Sequence, residues 1–292
     1  MVYIYKKLIH GKPYYYLRLS QRSEGKIITK DVAYLGNNIK DVEKGLDNLK
    51  KYQKEIRKSH KILNKFLKFN YYLGNIKSKK LKKDRFLTQD QLEQIEAIKL
   101  HYNQYFLNLD KLTIKETFKH FLIDFAFNTT SIEGNTITLD QVHNLLENDV
   151  LPKNKTLREV YDLQNTELVF FNLLNKKSKI TEKLIVNIHD ILLNKIDTRK
   201  GYRFTETRVF KSRFDASPAK YVKTDMDLLI KWYGENKNKL HTFVLASLMH
   251  HKFEKIHPFA DGNGRAGRML LNYILMKNKY PPLIVTKKRR ND

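Results

Sequence analysis

Cysteine is absent from all 292 residues. Its absence excludes a disulfide framework and any thiolate metal site. It also suits a reducing compartment, and the cytoplasm is the expected location. Long apolar runs are missing too: no stretch approaches the roughly 18 residues of a membrane-spanning helix. The opening residues, MVYIYKKLIHGKPYYYLRLS, lack the apolar core of a secretory signal. Acids are scarce, with 31 Asp and Glu against 56 Lys and Arg, a net charge of +25. A chain of this length and 41% apolar content can bury one large core or a core with appendages.

The positive charge is unevenly spread. Residues 1–87 hold 23 Lys and Arg but only 7 Asp and Glu, so +16 of the excess lies there. Such a region attracts polyanions, nucleic acid among them. A lysine-rich helix such as KYQKEIRKSHKILNKFLKF is also what an ordinary solvated face looks like.

Residues 2–8, 13–20 and 26–35 are rich in Tyr, Ile, Val and Leu and are punctuated by HGKP and RSEG. They predict three short strands. From Val42 to Phe69, and again from Thr88 to Tyr105, apolar residues recur at helical spacing. The charged stretch NIKSKKLKKDR predicts a loop between them. Beyond residue 110 helices dominate. TIKETFKHFLIDFAFNTTSIEG has Thr113 as a candidate N-cap and Gly134 as a stop. TLDQVHNLLEN opens on a Thr cap. FVLASLM, residues 243–249, is apolar all round and predicts a buried central helix. GYRFTETRVFKSRFDASPAKY breaks the period and predicts a hairpin with a loop. The fold class is mainly α with a small N-terminal β element, and three regions follow: 1–37, a β element; 38–109, a basic helical linker; 110–292, the helical core.

The chemistry is concentrated in HPFADGNGRAGR, residues 257–268. Pro258 disfavours helix at His257. Gly262 and Gly264 open backbone conformations closed to other residues. DGNG therefore reads as a loop feeding a helix N-terminus, whose free N–H groups form an anion site. Arg265 and Arg268, three apart, can hold further phosphate oxygens. Asp261 is a hard oxygen ligand suited to Mg²⁺ that also binds phosphates, and His257 can act as a general base near neutral pH. Two rivals are weaker. GNGRAG matches the dinucleotide pattern GxGxxG, but a helix precedes it where a strand is required. His250, His251 and His257 lack the HExxH spacing of a zinc site.

The twelve residues resemble the signature of the Fic (Fido) family, HxFx(D/E)GNGRxxR, at every defined position. The resemblance implies a Fic helical core from about residue 110, with a β-hairpin flap over Tyr202–Lys220. It implies transfer of AMP from Mg-ATP to a Ser, Thr or Tyr hydroxyl of a protein. By matching position, His257 would take the hydroxyl proton and Asp261 would hold Mg²⁺. Gly262, Asn263 and Gly264 would line the anion hole, Arg265 would meet the β-phosphate and Arg268 the γ-phosphate. DGNGR favours AMP transfer over the family's phosphate transfer. TTSIEGN, residues 129–135, resembles the family's inhibitory helix, (S/T)xxxE(G/N), with Thr129 and Glu133 at its defined positions. A carboxylate on Arg268 would then stand where the γ-phosphate belongs. The expected cofactors are ATP and Mg²⁺, and the expected partner is a protein substrate. Nucleic acid at the basic N-terminal region and a homodimer are further partners to consider; a membrane is not expected. The alternatives are a de-AMPylating hydrolase on the same site and a nucleotide-occupied DNA-binding regulator.

Overall fold

The computed structural model describes residues 1–23, 25–174, 176–207 and 215–286. Three antiparallel strands, β1 (Val2–Ile9), β2 (Lys12–Ser23) and β3 (Lys26–Gly36), form one sheet in chain order. Eleven α-helices follow among the described residues. The chain divides into two units, residues 1–83 with 88–101, and residues 84–87 with 102–292.

In the first unit the strands fall within three residues of the sequence expectation at every end. Period-two alternation sends Val2, Ile4, Tyr15, Leu17 and Leu35 to one face. There they pack with Val42, Leu46 and Leu63. The single helical stretch expected from Val42 to Phe69 is instead three helices: α1 (Ile39–Asn48), α2 (Gln53–Lys58) and α3 (His60–Lys77). The breaks fall at Leu49, whose ψ is 67°, and at Ser59. Neither Pro nor Gly marks them, so the apolar period runs through. Helix α3 also takes in the first three residues of the expected charged loop. Helix α4 (Gln89–Gln104) matches the second periodic stretch.

The second unit is the helical core. Helix α5 (Lys111–Ile132) starts on Asp110, whose carboxylate accepts the Thr113 amide at 2.9 Å. The cap expected at Thr113 is thus three residues earlier, because Asp supplies the better-placed acceptor. Helix α6 (Leu139–Asn148) does open on Thr138, in a capping box with Gln141. Helices α7 (Leu157–Leu174), α8 (Glu182–Leu192) and α9 (Val222–Asn236) complete the surround. Helix α10 (Thr242–Ile256) contains FVLASLM and buries Val244, Leu245, Ala246 and Met249. The central helix, however, is α11 (Asn263–Lys277). It packs against α5, α7, α8 and α10 and is buried from Asn263 through Leu275. Residues 208–214 of the expected hairpin lie outside the described residues. Among the described residues no helix is long and apolar enough to cross a membrane.

Candidate active site

The site is the turn between α10 and α11. His257 ends α10 in the left-handed region, at φ 52° and ψ 59°. Pro258 bars it from continuing the helix. Gly262, at φ 77°, caps the start of α11. A Cβ there would run into the Leu193 side chain. Between them the loop is closed by the Asn263 side chain. Its Oδ1 accepts the Phe259 amide at 2.9 Å, and its Nδ2 donates to the Phe259 carbonyl at 2.8 Å. His189 stacks on Phe259 with ring centroids 3.7 Å apart, and its Nε2 bonds the Asp261 carbonyl at 3.0 Å. The first-turn amides of α11 have no intrahelical acceptor and remain available to an anion.

Two buried guanidiniums stand on this helix N-terminus, and both are held. Arg265, 3% exposed, pairs with Asp162 on α7 and lies 3.3 Å from Asp261. Asp261 also accepts from Arg158, four residues before Asp162, at 2.5 Å. Burial pushes the Asp162 carboxyl up, against the pull of Arg265. Arg268, 6% exposed, donates Nε to Thr129 Oγ1 at 2.6 Å and Nη2 to the Thr129 carbonyl at 3.0 Å. The same Nη2 reaches Glu133 Oε1 at 2.7 Å. The Glu133 carboxylate fills the space a Cβ on residue 264 would need, so a glycine there lets it lie against the start of α11.

Burial pushes the His257 imidazole below its ordinary value. The Glu254 carbonyl, Glu133 and Asp261 pull it back, and Arg203 adds to the fall. Arg203, 4% exposed, anchors this turn. Its Nε donates to the His257 carbonyl at 2.8 Å and its backbone N–H to the Pro258 carbonyl at 2.9 Å. Its other nitrogens reach the carbonyls of Thr205 and Ser217. Arg203→Ala would leave these buried acceptors unmet at about 1–3 kcal/mol each at most. The expected result is a melting temperature several degrees lower. Thermal melts check it.

The structure thus brings together the residues of the candidate site: His257, Asp261 and Gly262 in the turn, Asn263, Gly264, Arg265 and Arg268 at the start of α11, and Thr129 and Glu133 at the end of α5. The side-chain amide of Asn263 faces the loop backbone, which leaves its main-chain N–H for an anion. Sequence reading missed Arg158, Asp162, His189 and Arg203. Among the described residues no group of three or more His, Asp and Glu could hold a metal alone. One carboxylate, Asp261, at the mouth of an anion site still fits Mg²⁺, which takes one or two carboxylates and completes its shell with phosphate and water oxygens.

The helix–turn–helix thus presents the first-turn amides of α11, two arginines and a histidine at one place. Residues 179–275 match the Fic/DOC family. It is 34% identical over 174 residues to a protein adenylyltransferase Fic of Drosophila grimshawi, covering 56% of this chain and 35% of that one. It is 31% identical over 167 residues to protein adenylyltransferase fic-1 of Caenorhabditis elegans, covering 55% and 33%. The chain therefore spans about a third of these relatives' length. Among solved structures, a Fic-domain-containing signaling protein from Bacteroides thetaiotaomicron superposes with a TM-score of 0.61 at 24% identity, over 68% of this chain and 77% of that one. Fic-1 of C. elegans, residues 134–508, superposes with a TM-score of 0.56 at 21% identity, over 87% and 72%. Both share the helical fold.

Proposed function

We propose that this chain transfers AMP from Mg-ATP to a hydroxyl side chain of a protein, and that Glu133 restrains it. The observation that carries the reading is the Arg268 guanidinium, built into an anion site yet occupied by Glu133 at 2.7 Å. The α11 amides and Arg265 bind the phosphate chain, and Arg268 takes its end once Glu133 withdraws. His257 accepts the proton of the incoming hydroxyl. The hydroxyl oxygen bonds the α-phosphorus and pyrophosphate leaves. Mg²⁺ on Asp261 would neutralise phosphate charge as the bond to pyrophosphate breaks. A chain without cysteine suits this reaction in the cytoplasm. A second reading, hydrolytic removal of AMP, draws on Glu133 lying near enough to His257 to strengthen its hold on a proton.

The test compares α- and γ-labelled ATP with Mg²⁺ and the Glu133→Gly protein, reading label on the protein itself and on lysate proteins. Only the α-label should remain attached. Retention of γ-label alone would replace AMP transfer by phosphate transfer. Loss of AMP from a modified protein with wild type, but not with Glu133→Gly, would favour the hydrolase.

A pH dependence follows from His257. The base must be neutral, and burial lowers its pKa in the folded protein. Neutral imidazole is therefore retained to lower pH than the ordinary value of about 6.5 allows. The acidic limb of the rate profile should bend below that value, as initial rates across pH will show.

A further inference from the structure

The sheet of the first unit has a second face that the Fic reading leaves unused. Antiparallel sheets with one buried face normally carry polar residues on the other. Here the alternation that buries Val2, Ile4, Tyr15 and Leu17 turns Tyr3, Tyr5, Tyr14, Tyr16 and Arg18 outward. The register aligns Tyr5 with Tyr16 and Tyr16 with Tyr34, a row of tyrosines across all three strands. Lys7 lies opposite Tyr14, and Arg18 opposite Tyr3. None of these outward tyrosines is buried, and Tyr34 is 54% exposed. The rings of Tyr14 and Tyr16 stand 6.3 and 5.3 Å from that of Tyr34. The Arg18 guanidinium lies over the Tyr5 ring at 3.6 Å, held there by Asp31 at 2.6 Å.

We propose that this face is a stacking platform for single-stranded nucleic acid. Bases lie on Tyr14, Tyr16 and Tyr34, and phosphates on Lys7 and the basic residues around the sheet. Two independent properties select this occupant. The rings supply flat π surfaces that any unpaired base can cover. Residues 1–36 carry 7 Lys and Arg against 2 Asp and Glu, the charge a phosphate backbone needs. A duplex keeps its bases stacked inside and would use only the charge. An acidic protein segment would likewise use the charge and leave the ring row without a partner.

The experiment is fluorescence anisotropy of the full chain with labelled oligothymidylate of about 20 nucleotides, long enough for one site, its RNA counterpart and a duplex of equal length. Tight binding to single strands, falling steeply with salt, is expected. Tyr16→Ser and Tyr34→Ser should each weaken it about ten-fold, while Tyr34→Phe, which keeps the ring, should not. Circular dichroism checks that each variant is folded. The proposal is overturned if folded serine variants bind like wild type, which would leave charge alone. It is equally overturned if the duplex binds more tightly than the single strands, or if neither binds. The last result would give the face to a protein partner.

Discussion

Glu133→Gly raises the incorporation of α-label from ATP about ten- to a hundred-fold over wild type. The argument is one of competition for a single guanidinium. A charge-assisted hydrogen bond contributes roughly 1.5–3 kcal/mol, and each 1.4 kcal/mol is about a factor of ten in affinity. While Glu133 sits 2.7 Å from Arg268, the last phosphate of ATP must displace it. Without Glu133, Arg268 stays in position, because Thr129 still holds it through its hydroxyl at 2.6 Å and its carbonyl at 3.0 Å. The site is freed without being dismantled. The apo protein should melt lower, since Arg268, 6% exposed, keeps its Thr129 contacts but loses the carboxylate that balances its charge, and Mg-ATP should recover that loss. Adding His257→Ala to Glu133→Gly removes the proton acceptor and should return label to background while nucleotide still binds. Calorimetric ATP affinity and label incorporation separate the two effects. If Glu133→Gly neither binds ATP more tightly nor labels more, the restraint is not at Glu133.

The legible part of this site is the part contiguous in sequence. HPFADGNGRAGR brings base, acid, glycines and arginines within twelve residues, and each glycine or proline there constrains the backbone in a readable way. Thr129 and Glu133 were legible only through the resemblance of TTSIEGN to an inhibitory helix, and the structure places them one helical turn apart at the end of α5. The residues that hold the site were not. Arg158 and Asp162 reach Asp261 and Arg265 across 103 residues. In sequence they are an Arg and an Asp four apart on an amphipathic helix, the pattern of a solvated face. Arg203 lies 54 residues before His257, in a stretch whose period predicts nothing about the core. The fold shows the same division. Strands marked by turn residues were placed closely. The breaks at Leu49 and Ser59 were not, since packing of α1 and α3 on the sheet, rather than any helix-breaking residue, decides where the chain turns. The exchange of centre between α10 and α11 has a related cause. Helix α11 carries the polar NGRAGR turn, and only the ion pairs made by its arginines let that turn be buried.

Those ion pairs give the second large effect. Asp162→Ala leaves Arg265, 3% exposed, with Asp261 at 3.3 Å as its remaining acidic partner. Removing one member of a buried pair costs about 3–5 kcal/mol, because the other charge stays desolvated. For a chain of this size the melting temperature should fall by on the order of 10 °C. Asp162→Ala with Arg265→Met removes both charges and should recover most of the loss. The proposed ligand offers a second remedy. A phosphate at the start of α11 would pair with Arg265 in place of Asp162, so ATP should raise the melting temperature of Asp162→Ala more than that of wild type. Nucleotide would then be completing a charge balance that the apo protein meets with its own carboxylates, Asp162 for Arg265 and Glu133 for Arg268. Thermal melts of the three proteins with and without Mg-ATP measure this directly. If Asp162→Ala melts with wild type, Asp261 alone satisfies Arg265. If ATP shifts both proteins equally, Arg265 does not meet the phosphate chain.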